Sequence, residues 1–593
     1  MKFKKLFLSL IIGILALTMA ACANDSEQPA SGGSESLTDT EPVAVDIELI
    51  NMAEDRLPSI VYSVSAQQYE LEAAQTLSDK LYLLTKKRIR PATEAMEYNA
   101  DTIEIIVGKT DHKESQEVYK ALGYGESVAK VIGNKIVLAG YNKEALESVI
   151  SELMTEIIKN KTEEGIYTLS KDFATAVQDN ALLAQIPYAE GFGAASKVTD
   201  TGDGCYMLTF ESVTEEALKS YVATFGNKGY EKHDENVIEN NRFYTYANDK
   251  YALTAVYTGR DNKARLLIQS LQDTALPTLE EDNKYTPVSG CDTTITQLGL
   301  YYPYGDNPAS KYFNGMSYAI RLEDGSFILI DGGHNKSIDG DRIYNVLKKQ
   351  APDPDNIVIA AWVFTHAHSD HVGFFKSFAE NYANKVTVEQ FIYNFPSDEQ
   401  KNGLADNQDM VEPVLRQYFL NVPRVKAHAG QVFHIRNAKV TMLYTLEMCE
   451  DKLTDYNTTS LVFTVEAEGY KFMVLGDYAE QGKTLRNMYT SKTLKSDIMQ
   501  VSHHGVAGQS NDTYKIIAPE YALWPAGDYV VSFTYNGAVQ TVKLKETSWN
   551  AYMLEEMDQS KVFWALDDIV ILTLGENGIT SQTFENDTAY LNG

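Results

Sequence analysis

Between residues 366 and 371 the chain reads His-Ala-His-Ser-Asp-His, placing four metal-ligating side chains close together. Imidazole and carboxylate are the groups that zinc and manganese accept near neutral pH. Residues two apart in an extended segment point the same way, so His366 and His368 can share one ion. Asp370 and His371 open the next helix and can face a second ion. A single histidine at a strand end is ordinarily no more than a satisfied polar residue. So many ligand types in so short a turn make metal binding the better reading.

A metal site needs rigid elements to hold its ligands. The run Ile357 to Phe364 is apolar and reads as a buried strand that empties into the histidine turn. Three further apolar runs end in the same way: Phe327 to Ile330 leads to Asp331-Gly332-Gly333, Tyr470 to Leu475 leads to Gly476-Asp477, and Ile498 to Val501 leads to Ser502-His503-His504-Gly505.

The pattern H-x-H-x-D-H at a strand end, followed in order by these motifs, resembles the signature of the metallo-β-lactamase superfamily. The resemblance spans residues 286–593. It implies an αββα sandwich with one or two Zn2+ or Mn2+ ions at its edge and a metal-bound hydroxide as nucleophile. It also implies roles for individual residues. His366 and His368 would hold the first ion, Asp477 would join the two sites, and Asp370, His371 and His503 would hold the second. Asp370 would also orient the attacking water. His504 would contact a substrate oxyanion or protonate a leaving group, with His503 the preferred ligand of the pair. Asp331 would support the ligands from behind through hydrogen bonds.

One position departs from the family pattern. Counting back from Asp477, the place of the third family histidine holds Asn457, and His428 and His434 fall at the wrong spacing. An amide oxygen is a weaker zinc ligand than imidazole, which shifts the first site toward oxygen-tolerant metals such as manganese. The same substitution, followed by Ser460-Leu461-Val462-Phe463, resembles the competence-protein branch of the superfamily, whose members act on phosphodiesters. The expected activity is therefore metal-dependent hydrolysis of a phosphodiester or related ester. A lactone or β-lactam hydrolase and a non-catalytic envelope-binding lipoprotein are the alternatives.

Composition narrows the partners. With 82 acidic against 52 basic residues the formal charge is -30, and so acidic a surface repels polyanions, so extensive nucleic-acid binding is not expected. At 593 residues several domains are required. The chain reads as α+β: a signal peptide at 1–21, a flexible linker at 22–41, a small α/β domain at 42–172, a small α+β domain at 173–285 and the hydrolase domain at 286–593. Lys2, Lys4 and Lys5 precede an apolar stretch, Leu6 to Ala21, that is short for a membrane span, which is the form of an export signal. Met19-Ala20-Ala21-Cys22 resembles a bacterial lipobox, implying lipidation of Cys22 and a protein held at the outer face of a cell membrane. Cys205, Cys291 and Cys449 form no CxxC site and read as buried free thiols, with one bridged pair the alternative in an oxidising exterior.

In the first small domain the stripe Leu71, Ala74, Leu77, Leu81 and Leu84 predicts a helix, flanked by strands Ile60 to Val64 and Ile103 to Val107. A hairpin turns at Gly133-Asn134, and the lone His112 is expected at the surface. In the second, four strands surround the helix Glu215 to Phe225. Tyr301, Tyr302, Tyr304, Tyr312 and Phe313 could stack on a sugar or headgroup, although ordinary sheet aromatics are the plainer reading.

Overall fold

Strand alternation explains how the C-terminal half is layered. In Phe327–Asp331, Ile328 and Ile330 face one core while Phe327 and Leu329 face another. In the partner sheet, Phe472 and Val474 face the first core while Met473 turns outward. The computed structural model describes residues 46–592 apart from 95–98, 179, 190, 193–194, 301, 304–310, 313–314, 335–336, 480–482, 527–529, 536–537, 566–567 and 586. The predicted signal peptide, the linker, Cys22, Tyr301, Tyr304 and Phe313 lie outside the described residues; of Tyr302 and Tyr312 the backbone is described, paired in two short strands.

One sheet of nine strands runs, in order, through Arg424–Lys426, Phe391–Tyr393, Ile357–Val363, Phe327–Asp331, Ser317–Arg321, Thr294–Leu298, Ile569–Gly575 and Gly578–Phe584, with Val386–Val388 beside Ile357–Val363. The other, of seven, runs through Val432–Ile435, Ala438–Tyr444, Val462–Ala467, Tyr470–Val474, Ile498–Gln500, Tyr521–Trp524 and Val562–Trp564. Their inner faces share one core containing Ile320, Val363, Val440 and Phe463. Helices Ser337–Gln350 and Phe375–Tyr382 cover the outer face of the first sheet through Leu347, Phe375 and Phe378. There Trp362 is ringed by Phe364, Phe374, Phe375, Phe378 and Phe391, at centroid separations of 5.9, 5.6, 5.5, 4.9 and 6.2 Å. Helix Asn511–Ile517 covers the second sheet through Tyr514 and Ile517. The order is helix, sheet, sheet, helix, the α+β arrangement that the resemblance implies.

Two further sheets precede it. The first orders Ala92–Thr93, Ser59–Tyr62, Glu104–Val107, Lys135–Ala139, Glu126–Ile132 and Ala174–Gln178, so it extends past residue 172. Helices Gln68–Thr85 and Lys143–Lys159 pack on one side and Lys113–Ala121 on the other. The second orders Glu231–Ile238, Asn241–Ala247, Tyr251–Thr258, Lys263–Ser270, Cys205–Phe210 and Lys197–Gly202. One face holds helix Glu215–Val222; the other, through Met207, Phe243, Val256 and Leu267, packs on Leu443, Val462 and Met473 of the seven-stranded sheet.

Polar contacts also join this module to the sandwich. Lys426 is buried, and its Nζ donates to the carbonyls of Thr201 (2.9 Å) and Phe395 (3.2 Å) beside Asp203 (3.3 Å). His428 is buried between Glu447, 2.9 Å from Nδ1, and Gln269, 2.6 Å from Nε2. Replacing Lys426 by Met keeps the stem but leaves two buried carbonyls without their donor, a loss of about 1–3 kcal/mol. A lowered melting temperature is the expected result; an unchanged one would show that these bonds contribute nothing net.

His112 corrects an expectation. It is buried rather than at the surface, with Nδ1 3.1 Å from Glu94 and Nε2 3.2 Å from Glu104, which also pairs with Lys135 at 2.7 Å. Its two nitrogens face opposite carboxylates, which fits a structural role. All three cysteines are free thiols, as expected, but only Cys205 is buried; Cys291 and Cys449 are half-buried.

Candidate metal centre

Five chain segments converge at one edge of the sandwich, and main-chain and side-chain hydrogen bonds tie them together. The strand Ile357–Val363 runs parallel to Phe327–Asp331 and delivers the histidine turn beside Asp331. Thr365 accepts a backbone bond from Leu461 (2.9 Å), which brings the Tyr456–Thr459 turn alongside. Asp477 N–H donates to the hydroxyl of Ser460 (3.1 Å). Gln500 accepts from Leu475 N–H (2.8 Å) and donates to the carbonyls of Gly476 (2.9 Å) and Val501 (2.7 Å), joining the last two strand tips.

Asp370, His371, Asp477 and His504 offer ligand atoms that all lie within 4.8 Å of one another. Asp477 Oδ2 is 3.2 Å from His371 Nε2 and 3.3 Å from His504 Nε2; Asp370 Oδ2 is 3.2 Å from His504 Nε2, and the two imidazole Nε2 atoms are 3.3 Å apart. A tetrahedral shell with bonds of about 2.0–2.1 Å spaces its donors about 3.3 Å apart, so these residues fit a divalent cation. The other oxygen of Asp477, Oδ1, is buried with no hydrogen-bond partner, as is Asn457 Oδ1. Buried carboxylate oxygens are rarely left so, and a cation would satisfy them.

His366 and His368 stand next to this group. His366 Nε2 is 3.1 Å from His368 Nδ1 and 3.9 Å from Asp477 Oδ2, so the two can share a position with Asp477 at its side. The ring of Tyr456 lies 5.0 Å from that of His368. Asn457 Nδ2 is 3.3 Å from His503 Nε2, which is 4.0 Å from Asp477 Oδ2.

The structure places His504, not His503, in the four-residue group. Both have left-handed backbones, with φ of 49° and 53°, and Gly505 follows at 81°. This run turns the His504 ring inward and leaves the His503 side chain 24% exposed, with its Nδ1 atom buried and unpartnered. Trp524 Nε1–H donates to the His504 carbonyl (2.9 Å), and Trp549 and Asn550 donate to that of Gly505 (2.8 Å each). A Cβ on Gly505 would stand 2.5 Å from the Trp524 indole. Gly505→Ala is expected to destabilise by about 2–4 kcal/mol through backbone strain and overpacking. Thermal melting checks it, with a loss of bound metal as the accompanying sign.

Tautomers are set from outside the group. His371 Nδ1–H donates to Asp331 Oδ2 (2.7 Å) and His504 Nδ1–H donates to the Pro525 carbonyl (2.9 Å), which leaves both Nε2 atoms for a ligand. Asp331 further accepts the Thr365 N–H (2.8 Å) and hydroxyl (2.7 Å) and itself has a φ of 53°.

The electrostatics favour positive charge. Burial opposes protonation of His371 and His504, yet the Asp477 charge outweighs it, assisted by Asp331 and Asp370 at His371 and by Asp370 at His504. His371 is raised well above its ordinary value and His504 is pushed up to about 10. Asp370 and Asp477 are held well below the usual carboxylate range, the imidazoles overcoming burial. His366 goes the other way, lowered well below its ordinary value by burial and by His371.

Gln500 and Ser460, which hold Asp477 and its strand, were not identified from the sequence. A buried glutamine within Ile498-Met499-Gln500-Val501 is the signal that could have found the first.

Residues 311–445 match the model of the metallo-β-lactamase superfamily. Among solved structures the chain is similar to a Cronobacter sakazakii metallo-β-lactamase with a HARLDQ motif, at 16% identity over 32% of this chain and 73% of that one, with a TM-score of 0.20. It is similar to Zn2+-bound PqqB from Methylobacterium extorquens at 12% identity, over 35% and 70%, TM-score 0.23. For CmlA, a diiron β-hydroxylase from Streptomyces venezuelae, the values are 12%, 41%, 47% and 0.24. At such TM-scores these likenesses carry no argument of their own. No curated protein matches the sequence. The chain therefore carries a metallo-β-lactamase superfamily domain, matched over residues 311–445, with a candidate His/Asp site for a divalent metal.

Proposed function

We propose that this protein is a metal-dependent hydrolase acting on a phosphodiester or related ester, exported and held at a cell membrane through a lipid on Cys22. The observation that carries the reading is the meeting of Asp370, His371, Asp477 and His504 at hydrogen-bond distances in a largely buried cluster. A divalent cation there, zinc or manganese, would supply electrophilic charge and acidify water near neutral pH. The protein's own residues do the rest. Asp331 and the Pro525 carbonyl fix the imidazoles; Asp370, half-buried with its Oδ2 3.2 Å from His504 Nε2, would orient an attacking water. His503, beside Asn457 and partly exposed, is the histidine that would face a substrate, the part the resemblance had given to His504.

Asn457 at the position of the third family histidine, followed by Ser460-Leu461-Val462-Phe463, supports a phosphodiester over a β-lactam through the likeness of this pattern to the competence-protein branch. The test is metal analysis of the full chain, followed by assays with bis-p-nitrophenyl phosphate and nitrocefin. Turnover of the phosphodiester, abolished by a chelator and restored by Zn2+ or Mn2+, is expected. Turnover of nitrocefin alone would replace this reading with the lactam one. For the anchor, Cys22→Ser is expected to abolish incorporation of labelled palmitate and to release the protein from the membrane fraction; a variant that stays bound and labelled would refute lipidation there.

A further inference from the structure

We propose that the two N-terminal sheets form between them a binding site for an anionic sugar, one carrying a phosphate or carboxylate group. The inference does not depend on the hydrolase reading.

A cavity of about 760 Å³ lies between these sheets, within the roughly 300–1,000 Å³ typical of small-ligand sites. Its floor is the carboxyl end of two adjacent parallel strands, Ser59–Tyr62 and Glu104–Val107: Ser63 and Ser65 follow the first, Lys109 and Thr110 the second. Open α/β sheets bind ligands in this crevice. The opposite wall comes from the second module, through Ser220, Tyr221, Thr224, Asn227 and Lys228, so neither module has the cavity by itself.

Charge gives the ligand its sign. Lys109, Lys120 and Lys228 line the cavity with Asp111 as the one acid among its lining residues, in a protein whose acids outnumber its bases by 82 to 52. This local inversion favours an anion and disfavours a cation. The remaining polar lining consists of hydroxyls and two amides, Gln116 and Asn227, the groups that bond to sugar hydroxyls.

The aromatic wall is fixed before any ligand arrives. Tyr188 packs edge-on against Tyr119 (5.2 Å) and Tyr141 (4.9 Å), with Lys109 Nζ 5.7 Å from its ring centre. The Tyr119 hydroxyl donates to the Gly140 carbonyl (3.2 Å) and that of Tyr221 to the Pro187 carbonyl (2.8 Å). Lys228 Nζ reaches across to the Ala121 carbonyl (2.9 Å), linking the two walls. A half-buried tyrosine ring next to an ammonium group suits the apolar face of a pyranose that also carries a negative charge.

The test is calorimetric titration of the full chain with glucose 6-phosphate and glucuronate, against glucose and inorganic phosphate. Binding of one or both anionic sugars at least about tenfold tighter than either control is expected, and the preferred one identifies phosphate or carboxylate as the charged group. Lys120→Gln, exposed and without a packing role, and Lys109→Gln should each weaken that binding severalfold, and Tyr188→Ala should weaken it while metal content stays unchanged. The proposal is overturned if neither anionic sugar binds at millimolar concentration, if inorganic phosphate alone binds as well, or if the lysine variants, melting as the parent does, bind undiminished.

Discussion

Replacing Asp477 by Asn should remove hydrolytic activity by at least about a thousandfold, or about 4 kcal/mol of barrier, and strip metal from the protein. Asp477 is the group around which the site closes. Its Oδ2 lies 3.2 Å from His371, 3.3 Å from His504, 3.9 Å from His366 and 4.0 Å from His503, while its Oδ1 is buried without a hydrogen-bond partner. An amide of the same shape keeps the packing but withdraws the negative charge that attracts a cation and holds protons on the imidazoles. Activity and metal content measured on the same sample separate the outcomes. A variant that keeps its metal and turns over within tenfold of the parent would remove Asp477 from the site.

Asp331→Ala should lower metal affinity by about 10–100-fold and cost about 3–5 kcal/mol of stability, the loss expected when one member of a buried charged pair is removed. The carboxylate makes three bonds, to the Thr365 N–H, the Thr365 hydroxyl and His371 Nδ1–H, so its removal releases the start of the histidine turn and the ring that ends it. Asn at this position tolerates a positive φ and can still accept the Thr365 N–H, so Asp331→Asn should recover part of the stability and less of the metal affinity. Chelator competition and thermal melting measure the two effects separately. Equal metal affinity in Asp331→Ala and the parent would reduce Asp331 to a turn residue.

Much of this was legible because the chemistry sits at the ends of apolar runs. Where a run such as Ile357 to Phe364 or Tyr470 to Leu475 stops, the pattern marks a strand tip, and the second residue beyond is His or Asp. The placement of His504 was not legible. His503 and His504 are adjacent and of one type, and only consecutive left-handed dihedrals decide which ring turns inward, a property without periodicity. The strand Glu231–Ile238 escaped for a different reason. It forms one edge of its sheet and reads Glu-Lys-His-Asp-Glu-Asn, with no apolar alternation, so its pairing with Asn241–Ala247 defines it. His112 was misjudged because its partners Glu94 and Glu104 are remote in the chain or carry no local signal. The first N-terminal helix, by contrast, falls where its apolar stripe predicts, at Gln68–Thr85, with Ala74, Leu77 and Leu81 buried, although Leu71 at the start of the stripe is exposed.

The left-handed run through His503, His504 and Gly505 has a consequence for how the pocket fills. Such dihedrals persist only where neighbours enforce them, and here the indoles of Trp524 and Trp549 and the amide of Asn550 do so from outside. The receptor is thus already shaped before its guest arrives, and loading should leave the backbone where it was. Amide exchange at residues 502–506 should be slow both with and without metal, as befits a latch set during folding.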